Sequence, residues 1–352
     1  AQIRSGEDEP SPDLVRHAMR EVVSRCIYGV DINEMSAELA KVQLWLESVE
    51  PGRPLAFLDA NIRVGNSLLG ATPALIKRGI PKAAYKPIEG DDKEVAAAVA
   101  KENEAERDRA AKGIRQETLF GDEPIHESNV RIASHTQKLV STLPARMSDL
   151  TVQRRRLREI DAQRKSAKRV ADSWCAAFVQ ELTLKTRMNT IKDETLSWIG
   201  GDGFDERRQE IVARVDALSR EYRFFHWHVE FPHVFRVSEQ GDVNPLTGWS
   251  GGFTCVIGNP PWERVKIQEK EYFATRNEEI ANAKNAAARK LAIEGLKDSE
   301  EEADRRLYAE FKAALRHADG TTLLLRDSGR YPLTGRGDIN TYAVFAETGR
   351  TI

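Results

Sequence analysis

An alternation of helical and strand-like segments near the start of the chain constrains the fold more than any other feature. Residues 13–25 and 33–48 carry apolar side chains at helical spacing. The short apolar run 26–32 between them ends in an acid, as a buried parallel strand does, and residues 54–70 give a second strand region. Strands joined by helices in this way predict a doubly wound α/β fold. The apolar side chains predicted on the inner side of the second helix are Met35, Leu39, Val42 and Leu46.

Helical patterns replace the strand signals after about residue 80. Residues 93–112 and 126–199 are rich in Ala, Glu, Lys and Arg at helical spacing, so we expect a large α-helical insertion over residues 81–222. Within it, residues 151–170 carry eight Arg and Lys side chains against two acids. This stretch is either a solvated helix face or a surface that follows a phosphate backbone, and both interpretations stay open.

Strand-like patterns return in residues 225–235 and 251–258. A second charged helical stretch is predicted over about 263–318, followed by a loop and a helix start. We therefore expect two α/β parts, residues 1–80 and 223–352, separated by the helical insertion.

The run CVIGNPPWERV, residues 255–265, joins an apolar strand to a loop whose backbone can form few hydrogen bonds of its own. Asn259 precedes a proline and is pushed towards extended geometry, while Pro260 and Pro261 have no N–H group. The side-chain oxygen of Asn259 and the backbone oxygen of Pro260 can then converge on one amino group. An amino nitrogen bonded to both is drawn towards tetrahedral geometry with a localised lone pair, which suits attack on an electrophilic methyl group.

Trp262 follows this pair of acceptors directly. An exposed indole gives a flat face for an unstacked nucleobase, with stacking of about 1–3 kcal/mol. The structural alternative is a proline-rich strand exit followed by a core tryptophan.

Two polar residues at the ends of predicted strands each have two interpretations. Asp31 could accept both hydroxyls of a ribose, with Ile32 against a purine ring. Asp31 or Asn33 could instead cap the following helix. Asn66 is either a turn residue or an amide that faces an adenine edge.

Composition restricts the classes of partner. The net charge of −2 excludes a broadly basic coat, so contact with nucleic acid must come from local patches. Cys26, Cys175 and Cys255 show no metal or disulfide spacing, which favours reduced thiols in the cytoplasm and no metal site. No apolar run approaches the roughly 20 residues of a membrane span, so no membrane partner is expected.

Four segments, in order, resemble the motifs of the amino-group DNA methyltransferases. GNPPW at 258–262 resembles their motif IV, and IYGVDINEMSAELAKVQLWL at 27–46 resembles motif II. RVGNSLLG at 63–70 resembles motif III, and GDINTYAVF at 337–345 resembles motif V. The order of these segments and the long helical insertion are similar to the large restriction–modification and phage-defence adenine methylases of the Eco57I type.

The resemblance implies a partial class I methyltransferase fold, with a Rossmann-like sheet and S-adenosyl-L-methionine as the cofactor. The acceptor would be N6 of an adenine flipped out of double-stranded DNA. A restriction or helicase component of the same system would be a possible partner. Adenine is preferred over cytosine N4 because the neighbouring motifs resemble the adenine enzymes.

The same resemblance implies residue roles. Asp31 would hold the cofactor ribose, Ile32 would flank its adenine, and Asn66 would face the amino group of that adenine. Asn340 and Tyr342 would help to shape the cleft. The implied catalytic residues are Asn259, Pro260, Pro261 and Trp262, and the implied cofactor-binding residues are Asp31, Ile32, Asn66 and Asn259.

One departure from the family pattern is the lack of a glycine-rich motif I before Ile27. The family sheet places its first strand between the strands that end here at Asp31 and Gly258. We therefore expect the chain to be the middle of a longer enzyme and to bind the cofactor poorly alone. The rival interpretations are a protein glutamine methyltransferase, which favours tyrosine in place of Trp262, and a non-catalytic DNA-binding or scaffold subunit.

Overall fold

The computed structural model describes residues 9–111, 125–237 and 242–352. The fold is α/β and mostly helical. Its helices are α1 Pro12–Cys26, α2 Glu34–Glu47, α3 Pro73–Arg78, α4 Lys93–Ala111, α5 Ile125–Ser141, α6 Met147–Ala176, α7 Asp193–Trp198, α8 Glu206–Tyr222, α9 Trp227–Glu230, α10 Glu269–Ala274, α11 Glu278–Ala281, α12 Ala286–Gly295, α13 Glu302–Asp327 and α14 Thr341–Thr351, with 3₁₀ turns at Lys82–Tyr85, Arg187–Asn189 and Leu296–Asp298. Its strands are β1 Gly29–Asp31, β2 Ile62–Val64, β3 Phe235–Arg236 and β4 Ser250–Gly251.

The first sheet is a parallel pair that places two strand ends at one edge. β1 pairs with β2 so that Asp31 lies opposite Val64, and the Gly65 N–H donates to the Asp31 carbonyl over 2.9 Å. Gly29 permits close packing here, because a Cβ at this position would lie 3.0 Å from the Ile62 side chain. The predicted strand–helix–strand unit is therefore present, with strands shorter than the apolar runs that predicted them. The second sheet is the antiparallel pair of β3 and β4.

The main core joins the segment after β2 to the helical insertion. Trp174 near the end of α6 is fully buried, and its indole N–H donates to the Gly79 carbonyl over 3.0 Å. Phe178 packs on Trp174, and Leu324 of α13 belongs to the same core. The long helices thus support the segment that follows the first sheet.

The basic stretch of α6 is divided between the interior and the surface. Arg164 is buried and lies 3.2 Å from Asp161 and 3.8 Å from Glu230. Glu230 is also bonded by Arg63 of β2 over 2.7 Å, so this network ties α6 to the first sheet. The exposed cations of the stretch are Arg154, Arg155, Arg156, Arg158 and Lys165. The phosphate-binding interpretation stays a prediction for these five side chains.

The strand predicted over 225–235 is wrong for most of its length. Residues 227–230 form the single turn of α9, and only the last residue of the range enters a strand. All four residues of α9 are buried. A short apolar run that is buried on every side has no exposed face to reveal its period, so the sequence pattern could not separate helix from strand.

The strand predicted over 251–258 is also largely wrong. β4 ends at Gly251, and the residues after it are not paired with another strand. Val256 is 50 % exposed and Ile257 is 92 % exposed. An apolar run becomes a buried strand only where a neighbouring strand meets its backbone groups, and none does so in the described residues.

The inner side predicted for α2 is exposed instead. Relative exposures along its stripe are 66 % at Met35, 61 % at Leu39, 44 % at Val42 and 67 % at Leu46. The buried residues of α2 are Ala37 and Lys41, because the helix packs through its opposite face. We call Met35, Leu39, Val42 and Leu46 the open stripe of α2.

A buried histidine cluster predicts acid sensitivity. Burial, with His226 and Arg330 nearby, lowers the pKa of His228 to about 3. The unfolded chain takes up a proton near pH 6.5 whereas folded His228 does not, so stability is lost as the pH falls from 6.5 towards 3. Chemical denaturation measures the free energy of unfolding at pH 7 and at pH 5. Between these two pH values, the free energy of unfolding should fall by about 1–2 kcal/mol more in wild type than in His228→Phe. Equal losses in both proteins would contradict this assignment.

Candidate functional site

The loop from Asn259 to Trp262 lies on the surface with its acceptors unoccupied. Asn259 is exposed, and Pro260 is partly exposed. Within the described part of the chain, no hydrogen bond reaches the Asn259 amide or the Pro260 carbonyl. Both oxygens are therefore free to accept hydrogen bonds from a ligand.

The hydroxyl of Thr341 fixes the far side of this loop. Thr341 Oγ1 donates to the Pro261 carbonyl and accepts from the Glu263 N–H over 3.1 Å. The Thr341 N–H donates to the Glu263 carbonyl over 3.0 Å, and the Val265 N–H donates to the Ile339 carbonyl over 3.2 Å. Two segments nearly eighty residues apart are thus held together beside the free acceptors. Thr341 lies between Asn340 and Tyr342, yet no spacing or motif in the sequence predicts its role.

Trp262 is a surface residue, so it is not the core tryptophan of the structural alternative. Its relative exposure is 79 %, and its ring centroid lies 5.5 Å from that of Tyr342, with the ring planes tilted by 36°. Asn340 caps α14 by accepting from the Tyr342 N–H over 3.3 Å. The cap of α14 thereby places an aromatic neighbour against Trp262 and leaves the indole available for stacking.

Asp31 lies at the carboxyl end of β1 and keeps one carboxylate oxygen free. Its Oδ1 accepts from the Asn33 N–H over 2.7 Å, and Asn33 itself caps α2 by accepting from the Met35 N–H over 2.9 Å. No other hydrogen bond to the Asp31 carboxylate occurs among the described residues. Ile32 beside it is 51 % exposed. The capping role falls to Asn33, so Asp31 can still accept from a ligand.

Asn66 is a turn residue whose amide also faces the site. Its side-chain oxygen accepts from the Leu68 N–H over 3.1 Å, and its backbone N–H donates to the Arg223 carbonyl over 2.7 Å. The oxygen therefore has only one lone pair left for a ligand, and the NH2 group has no hydrogen-bond partner among the described residues and can donate to a ligand.

A cavity of about 270 Å³ lies between Asn66, which follows β2, and the segment that follows Trp262, but neither Asp31 nor the loop from Asn259 to Trp262 lines it. Asn66 and Leu68 line one part of it, and Glu263 and Thr341 line another. His317 of α13 completes this wall and stacks on Tyr222, with ring centroids 4.3 Å apart. The structure thus brings Asn66 and the residues after Trp262 to one cavity, whereas no hydrogen bond among described residues links Asp31 to Asn259.

Comparison with known proteins gives one family and no individual relative. No curated protein and no solved structure matches the chain. Among the described residues, no helix has the length and apolar character to cross a membrane. The family described as Eco57I restriction-modification methylase matches residues 25–293, which is well over half of the chain. This chain therefore belongs to the Eco57I restriction-modification methylase family.

Proposed function

We propose that the chain carries part of the active site of a DNA methyltransferase that acts on N6 of adenine in double-stranded DNA. The family supports methyl transfer to DNA in a restriction–modification system. The observation that carries the finer proposal is the pair of free acceptors at Asn259 and Pro260 beside the exposed ring of Trp262.

The residues of the loop act on the amino group of a flipped base. Asn259 Oδ1 and the Pro260 carbonyl accept one N–H each, which draws the nitrogen lone pair out of conjugation with the ring. The flipped base stacks on the indole face of Trp262. Pro261 keeps the loop extended because it has no N–H to donate to a neighbouring strand. After transfer, the surplus proton can leave to solvent because the loop is exposed.

The strand-end residues fit the adenosine half of S-adenosyl-L-methionine. Asp31 has a free carboxylate oxygen for the ribose, and Ile32 offers an exposed apolar surface for the purine. Asn66 contributes a donor through its NH2 group. When bound, this cofactor supplies an electrophilic methyl group.

Labelled cofactor tests the reaction and separates it from its rivals. The full-length protein is incubated with duplex DNA and S-adenosylmethionine carrying a labelled methyl group, and digested DNA is analysed for the modified nucleoside. We expect label in N6-methyladenine. Label in N4-methylcytosine would contradict the choice of base, label in protein would favour a glutamine methyltransferase, and no label would favour a scaffold subunit.

The open stripe of α2 and the free edge of β1 suggest that the Rossmann-like sheet is partial here. In the described residues β1 is paired with β2 alone, and no strand pairs with residues 252–258. Tyr28 before β1 contacts Phe253 after β4, with ring centroids 5.3 Å apart. The free edge of β1 and the unpaired segment 252–258 therefore begin close to each other. We infer that a strand from elsewhere in the enzyme fits between β1 and residues 252–258. We also infer that another segment of the enzyme packs on the open stripe of α2.

Calorimetric titration tests this inference. The 352-residue chain should bind S-adenosylmethionine at least about tenfold more weakly than the full-length enzyme, because an incomplete sheet leaves the cofactor edge unsupported. Equal micromolar affinity for both proteins would contradict it. Such a result would leave the proposed reaction intact, since that reaction is measured on the full-length enzyme.

A further inference from the structure

Arg223 adopts a backbone conformation that disfavours its residue type. It ends α8 with φ 52° and ψ 47°, and within the described ranges it is the one non-glycine residue with a positive φ. The left-handed region is sterically unfavourable for an L-residue that carries a Cβ. Glycine is the usual residue at such a helix end, so the helix end alone gives no reason for arginine.

The backbone of Arg223 holds one of the two strand-end loops. Its carbonyl accepts from the Asn66 N–H over 2.7 Å, and Phe224 continues as a parallel bridge partner of Asn66. The Phe225 N–H then donates to the Leu69 carbonyl over 2.8 Å. The left-handed turn is what directs the chain from α8 into this pairing.

The side chain of Arg223 holds the other loop. Its guanidinium Nη1 donates to the carbonyl of Ile32, the residue between the carboxylate of Asp31 and the helix cap at Asn33. A guanidinium is always charged and presents several donors in a rigid plane, so it fixes a carbonyl more firmly than a neutral donor does. The guanidinium–Ile32 bond therefore restrains the turn that aims Asp31.

We propose that Arg223 is a positioning residue that sets Asp31 at the end of β1 relative to Asn66 after β2. This inference rests on the proposed function, since it assigns these two residues to the adenosine half of the cofactor. Arg223 itself touches neither the reacting atoms nor the cofactor in this account. It acts through the Ile32 carbonyl on one side and the Asn66 N–H on the other.

Glycine and lysine substitutions separate the two contacts. Arg223→Gly preserves the left-handed turn and the bond to Asn66 but removes the guanidinium, whereas Arg223→Lys keeps a cation with a single ammonium donor group. In the full-length enzyme, we expect Arg223→Gly to weaken binding of S-adenosylhomocysteine about tenfold, because a charge-assisted bond to the Ile32 turn is lost. Arg223→Lys should recover part of that loss. The thermal midpoint should not fall in Arg223→Gly, since glycine suits the left-handed turn.

The affinity losses of two ligands, one with and one without ribose hydroxyls, distinguish positioning of Asp31 from a purely structural role. A purely structural role would weaken the binding of both ligands equally. The 2′,3′-dideoxy analogue of S-adenosylhomocysteine makes no bond to Asp31, so Arg223→Gly should weaken its binding less than about twofold. Equal losses for both ligands, or no loss for either, would overturn the positioning role while wild type still binds cofactor. A wild-type enzyme that binds neither ligand would contradict the proposed function itself, and the role of Arg223 with it.

Discussion

Asn259→Ala is expected to reduce methyl transfer by the full-length enzyme by about a thousandfold or more, because it removes one of the two acceptors on the target amino group. The remaining Pro260 carbonyl can accept a single N–H and cannot localise the lone pair alone. Affinity for the cofactor should change by less than about twofold, since in our assignment Asp31, Ile32 and Asn66 bind most of it. Single-turnover transfer to duplex DNA and calorimetric titration with S-adenosylmethionine measure the two quantities separately.

Two substitutions in the same region serve as matched controls for Asn259→Ala. Asn259→Gln keeps the amide but moves it by one methylene, so it should be almost as slow if placement of the oxygen matters. Asn277→Ala removes a partly buried asparagine that caps α11 and is not part of the loop, and it should transfer methyl groups at the wild-type rate. A wild-type rate in Asn259→Ala would remove the basis for the proposed mechanism.

The sequence predicted the early helices well because their signals are local. The helix expected over 13–25 is observed over Pro12–Cys26, and the one expected over 33–48 is observed over Glu34–Glu47. Apolar spacing and the Asn33 cap both act within a few residues. By contrast, the burial of Met35 and Leu39 was predicted wrongly, because an apolar stripe shows that a helix needs a partner but does not show that the partner is present.

Parts of the candidate site were predictable for the same reason. The exposed loop at Asn259 follows from two prolines in succession, which is local chemistry. Thr341 and Arg223 were not predictable from spacing, since each acts through contacts with residues far away in the chain. The sequence around Arg223 does not predict a left-handed turn, because glycine and asparagine are the residues that usually adopt this conformation at a helix end.

Thr341→Val is expected to lower the rate of methyl transfer about tenfold to a hundredfold, because the valine cannot hold the loop at Pro261 and Glu263. The shape of the side chain is preserved, and the backbone bond from the Thr341 N–H to the Glu263 carbonyl remains. The loop should therefore stay attached but move by a fraction of an ångström to an ångström, which displaces the Asn259 and Pro260 oxygens. Cofactor affinity and the thermal midpoint should stay close to wild type.

Thr341→Ser is the matched control, since it keeps the hydroxyl and loses only a methyl group. Its rate should lie within about threefold of wild type if the hydroxyl is what matters, because one methyl group contributes little to an exposed loop. Slow transfer by both variants would mean that the methyl packing, and not the hydrogen bonds, positions the loop. If Thr341→Val transfers methyl groups as fast as wild type, the loop is held by the prolines and the backbone ladder alone. The comparison of these two variants in single-turnover assays at saturating cofactor and DNA therefore measures how much of the catalytic geometry depends on one hydroxyl.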